Sequence, residues 1–149
     1  MEKEIVAAYT DGSADQDRLS SWAFIIVQND KIVHQDSGVL TGEVCKLRNI
    51  AGELSAVMHT IKWCKINNYK VQVTHDLEGI ERWGTGKWKR NNQWTIAYFD
   101  FCVKHKDVIA GFTWTKAHLG GITNNSRFNE IVDGLAGEAI SKFYSKSSV

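Results

Sequence analysis

The chain has 149 residues, 43% of them hydrophobic, which is enough to close a core around one domain. Its formal net charge of +1 excludes a globally basic protein, so any affinity for a polyanion must come from a local patch. Three cysteines without CxxC spacing, Cys45, Cys64 and Cys102, exclude a disulfide framework and a structural zinc site, and no stretch approaches the roughly 18 apolar residues of a membrane span.

The odd thiol count and a charged start, Met1-Glu2-Lys3-Glu4, lead us to expect a cytoplasmic protein without a membrane partner. Ile5 to Tyr9 is a short apolar run ending at Asp11-Gly12, with Asp11 at the strand end just before a turn. Trp22, Phe24 and Ile26 alternate with Ala23, Ile25 and Val27, predicting a strand buried on both faces. Asn29-Asp30 supplies a turn, and Lys31 to Leu40 returns as the second arm of a hairpin. From Ile50 the period becomes helical, with Leu54, Val57, Met58, Ile61 and Cys64 on one stripe and Asn67-Asn68 at its end. Val71 to His75 is the next strand, followed by a short helix carrying Ile80 and Trp83 that Gly84-Thr85-Gly86 breaks. Trp94 to Lys104 reads as a helix with Ile96, Phe99 and Val103 on one side, and Val108 to Trp114 as a fifth strand. The last helix is expected from about Arg127 to Tyr144, with Val132, Leu135, Ala136, Ala139 and Phe143 as its inner stripe. The order βββ, α, β, α, α, β, α predicts an α/β fold: a mixed five-stranded sheet, three antiparallel strands and then parallel ones, flanked by helices. One domain over residues 1–149 is expected, with a core from 5 to 144 and a frayed tail from Ser145 to Val149.

Four carboxylates occupy informative addresses. Asp11 follows the first apolar run in Tyr9-Thr10-Asp11-Gly12-Ser13. Glu53 lies near the start of the long helix in Asn49-Ile50-Ala51-Gly52-Glu53-Leu54. Asp76 closes the strand Val71 to His75, and Asp133 ends Asn129-Glu130-Ile131-Val132-Asp133 in the last helix, where the positive dipole end would favour an anion. An isolated Asp-Gly is usually a turn and an isolated helical Glu is usually a solvated surface group. Four acids brought together would repel one another, and hard divalent cations answer that repulsion. Phosphodiester hydrolysis uses such an arrangement, with two ions about 3.5–4 Å apart that stabilise the attacking and leaving oxygens.

In this order, with Trp114-Thr115-Lys116-Ala117-His118 ahead of the last, the segments resemble the type I ribonuclease H family over nearly the whole chain. The stretch Asp76-Leu77-Glu78-Gly79-Ile80-Glu81-Arg82-Trp83 looks like the subgroup that lacks a long basic protrusion. The resemblance implies the same strand and helix order and an endoribonuclease that hydrolyses the RNA strand of RNA–DNA hybrids, leaving 5′-phosphate and 3′-hydroxyl ends. It implies two Mg²⁺ ions, with Mn²⁺ as substitute, and a monomer is expected. Asp11 would bridge both ions, Asp133 would join the water-activating one, and Glu53 with Asp76 would hold the other. His118 would move a proton to the leaving 3′-oxygen or assist product release. Here the chain departs from the family pattern, because Leu119 to Phe128 is several residues longer than usual.

His75 next to Asp76 is expected to point the other way along the strand, as a packed or surface histidine. The most basic segment interleaves Arg82, Lys87, Lys89 and Arg90 with Trp83 and Trp88, a composition that can grip phosphates while rings contact sugars or bases. Its plain alternative is a core-anchored turn with solvated lysines. The resemblance places Trp83 near the DNA-strand groove and Asn49 on the RNA side, with Arg48 as a phosphate contact. Gly12, Ser13 and Asn129 complete the expected substrate groove. With catalytic Asp11 so early, no separate N-terminal hybrid-binding module is expected. Two rivals share these features in part: a DNA-cutting resolvase or integrase core, and a non-catalytic hybrid-binding module.

Overall fold

The computed structural model describes residues 2–115 and 124–147. Its elements run β1 (Glu4–Asp15), β2 (Leu19–Gln28), β3 (Lys31–Leu40), a 3-10 helix (Glu43–Leu47), α1 (Asn49–Ile66), β4 (Tyr69–His75), α2 (Gly79–Gly84), α3 (Gln93–Lys104), β5 (Ile109–Trp114) and α4 (Asn124–Ser147). The strands form one five-stranded sheet in the order β3-β2-β1-β4-β5, with β1–β2 and β2–β3 antiparallel and β1–β4 and β4–β5 parallel. This is the predicted mixed sheet. The β2–β3 hairpin closes on Asn29 and Asp30, both at positive φ (54° and 62°), as a two-residue turn between right-twisted strands requires.

Strand alternation on β2 divides the core in two. Trp22, Phe24 and Ile26 enter a cluster with Val6, Ala8, Leu54, Val57, Ile61, Val71, Val73, Ile80 and Tyr98, beneath α1 and α3. Ala23, Ile25 and Val27 face the other way, with Tyr9, Phe128, Val132 and Ala136 beneath α4. A strand apolar on both sides is the signature of a sheet covered on both sides. Cys45, Cys64 and Cys102 are buried and unpaired.

Several boundaries and faces differ from the sequence reading. The strand does not end at Asp11: β1 continues to Asp15, because Gly12 to Asp15 pair with Trp22 to Leu19 in one long hairpin. β2 starts at Leu19, and its serines Ser20 and Ser21 are fully buried. On α3 the stripe Ile96 and Val103 is the outer face, 47% and 50% exposed. The inner face is Thr95, Tyr98 and Cys102, fixed by the Asn92 side chain that caps the helix and by Tyr98 Oη donating to Ile80 O at 2.8 Å. On α4, Val132, Ala136 and Ala139 are buried as expected, whereas Phe143 is 36% exposed, since the helix runs past the apolar layer. α4 begins at Asn124, three residues earlier than expected, which shortens the loop after β5.

The closest approach of helix to sheet lies at two glycines. A Cβ on Gly52 would stand 1.8 Å from Ser21 O and 2.9 Å from Gly12 Cα, and one on Gly12 would stand 2.4 Å from Glu53 N. No side chain fits between α1 and β1 there. Gly52→Ala is therefore expected to destabilise the fold by about 3 kcal/mol or more. Gly137→Ala in α4, with open space around its Cβ position, should stabilise by about 0.5–1 kcal/mol. Urea unfolding of both variants checks the contrast, and equal effects would contradict the contact.

Candidate active site

β1 pairs with β4 only as far as Tyr9–Thr74, while β4 pairs with β5 as far as His75–Trp114. Beyond those points β1 carries on alongside β2 alone. A cleft therefore opens past the carboxyl ends of the parallel strands, the place where open α/β sheets keep their sites. Asp11 shares the α4-facing side of β1 with Tyr9. Glu53 comes from α1 on the opposite side of the sheet, and the Gly12–Gly52 contact brings it to the edge of the strand. Asp76 stands in the bend after β4.

Ligand oxygens of Asp11, Glu53 and Asp76 all lie within 4.8 Å of one another. Asp133 reaches Asp11 from α4, within hydrogen-bonding range. Asp11 and Glu53 are almost wholly buried, at 4% and 2% exposure. The Gly12 N–H donates to both, at 2.9 Å to Asp11 Oδ1 and 3.1 Å to Glu53 Oε1. Glu53 Oε2 is buried with no hydrogen-bond partner among the described residues. A buried, unpartnered carboxylate oxygen beside other acids fits a divalent cation, which answers the lone pairs and the charge together.

Burial, and then the neighbouring Asp76 and Asp133, push Asp11 up to about 7. Burial and the adjoining Asp11 hold Glu53 well above the usual carboxylate range. Without metal the cluster therefore retains protons that ordinary carboxylates lose. Both folded-state values are raised, so the stability these groups contribute is present below their unfolded values near 4 and is lost as pH rises through about 7. In chelator, Tm should fall by roughly 4 °C or more between pH 5 and pH 8. Mg²⁺ or Mn²⁺ should raise Tm more at pH 8 than at pH 5, since binding requires the deprotonated cluster. A metal-induced shift independent of pH would contradict this electrostatic account.

Two expectations about the acids need correction. Asp11 is interior to β1, and what ends near it is the pairing with β4. Asp133 lies in the third turn of α4, since that helix starts at Asn124, so the helix dipole does not account for its placement; that effect is confined to the first turn. A buried serine helps to place it instead. Ser21 Oγ donates to Ala136 O at 2.6 Å, locking the turn of α4 that carries Asp133 against β2.

The expected groove residues fall into distinct groups. Gly12 is taken up by close packing and by its bonds to the acids. Ser13 pairs with Ser21 in the β1–β2 ladder. Arg48 and Asn49 have exposed side chains at the start of α1. Arg48 adopts φ 55°, ψ −128°, a backbone state that costs an ordinary residue about 1–3 kcal/mol. The fully buried Ser20 holds that bend, with Oγ donating to Arg48 O at 2.8 Å. Lys87 and Lys89 are exposed on the connection 85–92. Arg90 instead stacks on Phe99, 4.2 Å from the ring centroid, and donates to Gly86 O and Trp88 O. Trp83 meets Trp88 edge-on and covers Gly79. Asn129 is buried, with Nδ2 donating to Thr115 Oγ1 at 3.4 Å. His75 is packed as expected: it is fully buried, its ring meets Phe112 edge-on, and burial lowers its pKa. His118 and residues 119–123 of the expected loop lie outside the described residues.

Sequence reasoning missed Ser20, Ser21 and Gly52. Their common signal is a small residue inside an apolar run, where small size or a short hydroxyl serves a close contact.

The ribonuclease H family model matches residues 3–141. This chain belongs to the ribonuclease H family. The ribonuclease H1 of the halophilic archaeon Halobacterium salinarum superposes with a TM-score of 0.71 at 19% identity, covering 93% of this chain and 98% of that one. The N-terminal ribonuclease H domain of a Mycobacterium tuberculosis protein gives 0.74 at 12% identity, covering 99% and 100%. LC11 ribonuclease H1, solved in complex with an RNA/DNA hybrid, gives 0.72 at 19%, covering 93% and 99%. No curated protein matches the sequence. At these identities the structural likeness establishes the fold, and it agrees with the ribonuclease H assignment. No helix among the described residues is long and apolar enough to cross a membrane.

Proposed function

We propose that this ribonuclease H hydrolyses the RNA strand of RNA–DNA hybrids, leaving 5′-phosphate and 3′-hydroxyl ends, with two divalent ions held by Asp11, Glu53, Asp76 and Asp133. The observation that carries the reading is the convergence of three carboxylates from β1, α1 and the bend after β4 within 4.8 Å, with Asp133 reaching in from α4. The fold's LC11 relative was captured with an RNA/DNA hybrid, which supports the choice of substrate.

Mg²⁺, or Mn²⁺ in its place, would supply charge stabilisation to the attacking and leaving oxygens. Asp11 would contact both ions, Asp133 one of them, and Glu53 with Asp76 the other. The chain's contribution is to hold these acids at fixed separation before metal and substrate arrive. The Gly12 N–H orients Asp11 and Glu53 together. The exposed Asn49 side chain, one turn before Glu53, supports a role in reading the 2′-hydroxyls that distinguish RNA from DNA. His118 is proposed to carry a proton to the leaving oxygen, an aid to turnover and not its foundation.

Asp11→Asn should abolish Mg²⁺-dependent cleavage of labelled hybrid while leaving the Tm in chelator equal to or above that of the unaltered chain, because a buried repulsive charge is removed. Normal cleavage by Asp11→Asn would sink the metal assignment. Efficient cutting of all-DNA duplex by the unaltered chain would favour a resolvase-like specificity.

The basic segment divides by what each side chain is already doing. Neutralising Lys87 and Lys89 should raise KM and reduce the log–log salt slope by roughly 1 for each lost phosphate contact. Arg90→Ala should act mainly on the stability of the 85–92 turn, since its guanidinium is engaged with Phe99 and two carbonyls. A salt slope unchanged in the double lysine variant would make that segment a solvated turn.

A further inference from the structure

We propose that Trp114 is a positioning residue for Asp76: its indole N–H, together with Thr115 and His75, fixes three consecutive carbonyls around the bend that presents the Asp76 carboxylate. The inference rests on the metal-centre reading above and names what keeps one of its ligands in place.

Asp76 has no ladder to hold it. β4 pairs with β1 only to Thr74 and with β5 only to His75, and α2 does not begin until Gly79. Asp76 nevertheless stands with an oxygen within 4.8 Å of both Asp11 and Glu53, where like charge pushes it outward toward solvent. Something other than secondary structure must oppose that push. His75 O accepts from Thr115 N at 2.9 Å and from Thr115 Oγ1 at 3.2 Å. Asp76 O accepts from Trp114 Nε1 at 3.2 Å. Leu77 O accepts from His75 Nδ1 at 2.9 Å. With the carbonyls before, at and after Asp76 each tied down, the peptide planes on both sides of its Cα are held, and its Cα–Cβ bond keeps the direction that carries the carboxylate to the cluster.

Tryptophan suits the central position, because it is the one aromatic side chain that pairs a large packing surface with an N–H that only donates. The clamp also reaches α4. Asn129 Nδ2 donates to Thr115 Oγ1 at 3.4 Å, and Asn129 precedes Asp133 by one helical turn, on the same face. The strand end that holds the Asp76 bend is thus tied to the helix that carries Asp133. This gives buried Asn129 an internal role.

The test reads metal binding directly. Mn²⁺ is titrated into the full chain without nucleic acid, and free Mn²⁺ is followed by electron paramagnetic resonance, with Asp76→Asn as reference. Trp114→Phe keeps the ring and removes the donor. It should weaken Mn²⁺ binding about 10-fold or more, the usual effect of deleting a hydrogen-bond partner that orients a metal ligand. In cleavage assays the Mg²⁺ requirement should rise while kcat at saturating metal recovers, a split that general loosening of the fold would not produce. Should Trp114→Phe fail to fold, Thr115→Val and Thr115→Ser decide, with Ser retaining affinity and Val losing it. A folded Trp114→Phe with unchanged Mn²⁺ affinity overturns the proposal and leaves the metal centre intact, as does equal affinity of the two Thr115 variants. Identical Mn²⁺ binding by the unaltered chain and Asp76→Asn overturns both.

Discussion

The contact on which the site depends is the backbone-to-backbone approach of α1 and β1 at Gly52 and Gly12. Neither glycine can carry a side chain, because the Cβ position of Gly12 is filled by α1 main chain and that of Gly52 by main chain of β2 at Ser21 and of β1 at Gly12. That approach sets Glu53 beside Asp11 across a single shared N–H, at a depth where both are nearly inaccessible. Two acids would not choose such a place. They are held there by the apolar stripe of α1, whose Leu54, Val57 and Ile61 are buried in the main core and fix the helix whatever its charged neighbour prefers. Hydrophobic burial supplies the driving force, and the acidic pair bears the electrostatic consequence in raised proton affinity.

The sheet's mixed topology turns this local conflict into a usable cleft. Parallel pairing of β1 with β4 stops at Tyr9, but the antiparallel β1–β2 hairpin carries β1 six residues further. Past that divergence, acids from either side of the sheet can meet: Glu53 from the α1 side, Asp133 from the α4 side, Asp76 from the bend between them. Each arrives by a different anchor. Glu53 depends on a glycine contact, Asp133 on the buried Ser21 hydroxyl, and Asp76 on carbonyls held by side chains of β5 and its own strand. Such sites tolerate little change in their surroundings, because small errors in ligand placement add up at one point.

Several polar residues that look available for substrate are spent on the fold itself. Arg90 is stacked on Phe99, Asn129 is buried against Thr115, and Gly12 is committed to the acids. The side chains left facing solvent are Arg48 and Asn49 beside Glu53, and Lys87 with Lys89 on the 85–92 connection. Among the expected groove residues, the exposed cations therefore lie in two short segments, in a chain whose net charge is only +1. Substrate recognition by such a protein rests on placement more than on overall attraction.

The sequence by itself determined the element order, the two-sided burial of β2 and the Asn29-Asp30 turn, and it singled out Asp11, Glu53 and Asp76, which the fold brings together. These are written in local periodicity and in residue types whose chemistry has few other uses. It misjudged the end of β1, because Asp11-Gly12-Ser13 is polar and turn-like, and only pairing with Ser21 and Trp22 makes it strand. It left open which face of α3 turns inward, because Ile96 and Val103 match helical spacing as well as Tyr98 and Cys102 do. Which set turns inward was decided by the fully buried Tyr98 and its hydroxyl bond to Ile80 O. It credited Asp133 to a helix dipole whose origin lies about two and a half turns away. Tertiary structure alone decided the separation of the acids, their raised proton affinity and the clamps that hold them. Those depend on contacts such as Ser21 to Ala136 and Trp114 to Asp76, between residues far apart in the chain, which no local pattern encodes.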